Sequence, residues 1–76
     1  MQYVWIVERG EQWEGGNIFA VLDHPPTSAE ALGAAEALDD EGEWKELDRF
    51  SSWRFWENTI GGDWVKVRRH KVTSRK

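Results

Sequence analysis

The side chains able to do chemistry are few and badly grouped. Cysteine is absent, which removes thiolate nucleophiles, disulfides, iron–sulfur clusters and zinc–thiolate sites. His24 stands before two prolines and His70 stands among bases, so no pair of histidines has metal-ligand spacing. Ser28, Ser51 and Ser52 lack the glycine context that exposes a serine nucleophile on a tight turn. Carboxylates are plentiful at Asp39, Asp40 and Glu41, but no apolar surrounding sets one apart as a catalytic acid. The glycine pairs at 15–16 and 61–62 each join two strand-like runs, whereas phosphate cradles lead into a helix N-terminus. These residues predict a protein that is not an enzyme and that holds no metal or cofactor.

Binding is better served. Ten of the 76 residues are aromatic and six of those are Trp, more indole than a chain of this size readily hides. Exposed Trp concentrates at binding hot spots because it buries much area with few rotamers to freeze. The net charge of −4 conceals an asymmetry: residues 1–63 carry all fourteen acids and four bases, and residues 64–76 carry six bases and no acid. At physiological salt the screening length is about 8 Å, so the two regions act separately. Two candidate surfaces follow. One joins Trp13 and Trp44 to the acids Asp39, Asp40, Glu41 and Glu43, as rigid anchors with a charged rim. The other joins Trp64 to Lys66, Arg68, Arg69, His70 and Lys71, where an indole beside cations suits a nucleobase and its phosphate.

The elements that must position these residues are short. Gln2 to Glu8 is aromatic and β-branched and reads as a strand. Asn17 to Asp23 is a second, so residues 2–23 form a hairpin with a longer loop. Pro25-Pro26 stops the sheet. Thr27-Ser28-Ala29-Glu30 has the capping-box pattern and opens a helix whose Ala31, Leu32, Ala35 and Leu38 share one face. Asp39-Asp40 opposes the helix dipole at its C-terminus and ends the helix there or earlier. Residues 44–51 read as irregular or extended, followed by a strand from about Ser52 to Asn58. Trp64 to Val72 alternates, with Val65 and Val67 on one side and Lys66 and Arg68 on the other. The predicted fold is one α+β domain over 1–72, ordered β-β-α-β-β, an antiparallel sheet with one helix packed on one face; 73–76 is a basic tail.

The N-terminal half resembles short uncharacterised accessory domains of phage and actinobacterial genomes. The matching residues are Tyr3 to Glu8, the turn Glu14-Gly15-Gly16, the strand end Ala20-Val21-Leu22-Asp23 and the Ala-rich stretch Ser28 to Leu38. The resemblance implies a small protein that binds and inhibits a host or defence protein. One form such binding takes is mimicry, with the carboxylates of 39–48 imitating a nucleic acid. The sequence therefore predicts a non-enzymatic protein-binding module, with nucleic-acid or nucleotide binding as the alternative. It also predicts a homodimer, from surplus aromatic surface. No apolar run, Val4 to Val7 included, comes near the length that spans a membrane, and no basic-then-apolar leader follows Met1, so a cytoplasmic location is expected.

Overall fold

The computed structural model describes residues 2–11, 15–50 and 52–72. Five segments are strands, all with aromatic residues or β-branched ones: β1 (Gln2–Gly10), β2 (Gly16–Leu22), β3 (Trp44–Phe50), β4 (Trp53–Asn58) and β5 (Trp64–Val72). One helix, α1 (Ser28–Ala34), lies between β2 and β3. The strands form one antiparallel sheet in the order β2-β1-β5-β4-β3. The last strand is thus the central one, paired along its whole length with β1.

This corrects the expected α+β fold with its β-β-α-β-β order. Residues 44–50 are an edge strand, and 57% of the described residues lie in strands. The molecule is an all-antiparallel five-stranded sheet that carries one short helix, not a sheet with a helix layer. A bulge hid the strand. The β3–β4 register slips between Glu46 and Asp48 and leaves Leu47 as the extra residue. Trp44, Leu47 and Phe50, spaced by three in the sequence, thus do not share a face: Trp44 lies on the covered side and Phe50 on the open one, and the period of two is interrupted between them. The helix is also shorter than the sequence suggests. It ends at Ala34, and Glu36 turns the chain at φ 56°, in the left-handed region.

The core occupies one side of the sheet. Val7, Trp56, Val65 and Val67 are buried there with Ala31, Ala35 and Ala37, and Trp5, Ala20, Leu22, Leu32 and Trp44 pack around them. The segment from Pro26 to Trp44 covers this side, and α1 makes its main sheet contact with β5. Sheet side chains satisfy the polar backbone of that segment. Arg9 donates to the carbonyls of Ala35 (3.1 Å) and Glu36 (2.8 Å) and pairs with Asp40. Those carbonyls end the helix and would otherwise lack donors, and the guanidinium also suits the negative end of the helix dipole. The Trp44 indole donates to Ala37 O at 3.0 Å. Arg54 donates to Pro26 O (2.8 Å), Ser28 Oγ (2.9 Å) and Glu46 Oε2 (2.7 Å).

At its start α1 has the full capping box: Thr27 Oγ1 accepts from the Glu30 amide, and the Thr27 amide donates to Glu30 Oε1, both at 3.2 Å. Asn58 is 4% exposed and satisfied, donating to Glu41 O and accepting from the Ile60 amide. It explains Gly42, whose φ is +89° and where a Cβ would lie 2.5 Å from Asn58 Oδ1.

Candidate functional site

Strand alternation sends the other set of side chains to the opposite face, over which no described element is packed. The register places Val4, Ile6 and Glu8 of β1, Ile18 and Val21 of β2, and Trp64, Lys66, Arg68 and His70 of β5 there. From β4 come Trp53, Phe55 and Glu57, and from β3 Lys45, Asp48 and Phe50. Ile18, Val21 and Phe50 are 60%, 59% and 63% exposed. The face is therefore open, with exposed apolar side chains set among charged ones.

Its centre is a row of rings. Trp53 and Phe55 have centroids 6.4 Å apart with planes 6° from parallel, and Phe55 and Trp64 are 6.2 Å apart at 23°. Lys66 pairs with Phe55 across the strands and sets its ammonium 5.3 Å from the Trp53 ring centroid and 5.4 Å from that of Trp64. Such cation–π contacts hold the rings and the lysine in one arrangement. Trp64 is positioned by glycines: a Cβ at Gly10 or Gly16 would run into its indole. The indole N–H donates to Glu11 O at 3.2 Å. The two glycines clear a berth for a ring as well as serving the turn.

Charges on this face cancel. Lys45, Lys66 and Arg68 stand against Glu8, Asp48 and Glu57. Glu8 lies between the two central cations, with Lys66 Nζ 3.7 Å from one oxygen and Arg68 Nε 2.9 Å from the other. The Arg68 contact is an ion pair without hydrogen-bond alignment, since buried Glu8 Oε1 accepts no hydrogen bond.

The predicted surfaces are distributed differently from the sequence reading. Trp13 lies outside the described residues. Trp44 is half-buried with its N–H on Ala37 and the Arg9 guanidinium 5.9 Å from its ring. Asp40 pairs with Arg9, while Asp39, Glu41 and Glu43 are exposed on the loop leading to β3. The acids and the Trp44 indole are neighbours in sequence without forming one open patch. Of the basic set, Trp64, Lys66, Arg68 and His70 share the open face. Arg69 and Lys71 point to the other side, where Arg69 lies 4.4 Å over the Tyr3 ring. Sequence reasoning passed over Trp53 and Phe55 as site residues. The alternation of W-R-F-W in β4 carried the signal, because Trp56 and Arg54 take the core side and leave Trp53 and Phe55 outside.

Among the described residues no group of three or more His, Asp or Glu side chains could hold a metal ion, and no helix is long and apolar enough to cross a membrane. Compared with protein-family models, with curated proteins and with solved structures, the chain matches none.

Proposed function

We propose that the protein is a non-enzymatic protein-binding module whose working surface is the open face of the sheet. The row Trp53–Phe55–Trp64 carries the reading: three ring systems held in parallel by cation–π contacts and glycine berths, half-exposed, and flanked by exposed Ile18, Val21 and Phe50. Rigid aromatic anchors surrounded by aliphatic and mixed-charge groups are what a protein hot spot requires. The balanced charge favours an apolar protein surface over a polyanion, whose backbone demands a surplus of cations. The resemblance of the N-terminal half to phage accessory domains supplies the partner class, a host or defence protein.

The test compares proteins retained from lysate by the wild type and by Phe55→Lys, followed by titration of the purified retained protein. Loss of at least tenfold in affinity for Phe55→Lys, with Glu41→Lys and Glu43→Lys unchanged, supports the reading. The reverse pattern overturns it in favour of the acidic loop. Salt-sensitive binding of a single-stranded oligonucleotide, lost in Lys66→Ala, would move the face to the nucleic-acid alternative. Sedimentation at several concentrations separates a second copy of this chain from a foreign partner.

A further inference from the structure

Beside the core, at the end of the sheet where β3 turns into β4, is a hollow of about 380 Å³. Its floor is Trp5 and Val67, and Pro25, Pro26 and Phe50 form apolar walls. The volume is at the lower end of the range for small-molecule sites, and the lining has their mix of apolar walls and a few polar groups. Phe50 and Trp53, which belong to the open face, also reach the hollow, but its floor belongs to the covered side of the sheet and neither Phe55 nor Trp64 lines it.

The two charged groups at the hollow differ in freedom. Arg54 is fixed by Glu46, Pro26 O and Ser28 Oγ, and by its position 4.6 Å over the Trp56 ring. It ties the proline wall to β4 and keeps the hollow formed without a ligand. The Arg49 side chain is 77% exposed; among the described residues the acid within 4.0 Å of it is Glu46, 3.9 Å away and itself held at 2.7 Å by Arg54. Among the described residues nothing else pairs with the outer guanidinium nitrogens, which leaves them to take an anion. We propose that this hollow is a binding site for a small aromatic carboxylate, with the rings against Trp5, Pro26 and Phe50 and the carboxylate on the Arg49 fork. A planar fork meeting a planar carboxylate gives two parallel hydrogen bonds, and the apolar walls take a fused two-ring body.

The experiment titrates the full chain with 2-naphthoate and follows the tryptophan indole N–H signals by NMR. A saturable shift of Trp5 with Trp64 unmoved is expected. Arg49→Gln should weaken binding about tenfold, the size of one lost charge-assisted contact, and the neutral analogue 2-naphthylmethanol should bind wild type as weakly as naphthoate binds that variant. Phe50→Ala should weaken both ligands alike, and Phe55→Lys neither. No saturable Trp5 shift at millimolar naphthoate overturns the site. Equal binding of acid and alcohol, unaltered by Arg49→Gln, also overturns it by reducing the hollow to a greasy surface. Either failure leaves the open-face reading intact, since that depends on Phe55.

Discussion

The two faces of this sheet are built from the same strands and do opposite things. On the covered side Val7, Val65, Val67 and Trp56 are at most 2% exposed, and the chain packed over them contributes three buried alanines. On the open side the neighbours of those residues, Trp64, Lys66 and Phe55, are half-exposed. A small chain gains most from burying its largest rings, because apolar area drives folding. Here one indole, Trp56, is fully buried among the described residues, and small alanines fill the remaining space. Holding Trp53, Phe55 and Trp64 away from the core gives up that stabilisation. The contrast in burial supports the proposal that the open-face rings serve an intermolecular surface, and each prediction below strains that contrast.

The largest effect belongs to the covered face. Trp56→Ala removes a ring that is 2% exposed and stacked under Arg54, and should cost about 3–5 kcal/mol in denaturant unfolding. Next is Gly10→Ala, where the added Cβ would run into the Trp64 indole. Overpacking of this kind costs about 1–3 kcal/mol, and the Trp64 signal in near-ultraviolet circular dichroism should collapse with it. Smaller again is Phe55→Ala, one position from Trp56 but on the open side, at about 1 kcal/mol. If Phe55→Ala destabilises as much as Trp56→Ala, the open face has a second layer in solution and the contrast fails. A concentration-dependent cost would identify that layer as another copy of the chain.

How far these faces could be read beforehand depends on local pattern. The alternation of β5 was legible from Val65 and Val67 against Lys66 and Arg68, because a period of two survives wherever no bulge interrupts it. The capping box was legible too, since its two hydrogen bonds are local to Thr27 and Glu30. β3 was not, because the bulge at Leu47 destroys the period while the pairing with β4 continues on either side. Trp44 looked like a free anchor among acids, yet its N–H finds a carbonyl seven residues back, exposed by the early end of α1. Gly10 and Gly16 looked like turn residues alone. Their second role depends on Trp64, more than forty residues further along the chain, and no local rule reports it. The hollow above Trp5 likewise draws on β1, the proline pair, the facing ends of β3 and β4, and β5 together.

The smallest effect concerns a single exposed bridge at the entry to the covered face. His24 sets Nδ1 2.9 Å from Asp23 Oδ1 and Nε2 2.6 Å from Glu30 Oε2. The hydrogen bond to Asp23, then that to Glu30, raises the histidine above its ordinary value of 6.5. The same bonds to His24 are the leading cause that lowers both carboxyls. A raised histidine contributes stability that is complete below its unfolded value and fades as pH rises through the folded one. Lowered carboxyls contribute stability that is present above their unfolded values and fades as pH falls through the folded ones. The bridge therefore works between the acid range of Asp23 and Glu30 and the raised range of His24. Because Glu30 also closes the capping box, NMR titration should show the Thr27 and Glu30 amides moving with a His24 midpoint above 6.5. His24→Gln should abolish that movement. The amides of Phe55 and Lys66 should stay still through the same midpoint, because the bridge ties down only the segment crossing the other side. A midpoint at or below 6.5 would break the bridge, and movement of Phe55 in step with His24 would show that the two faces are coupled rather than independent.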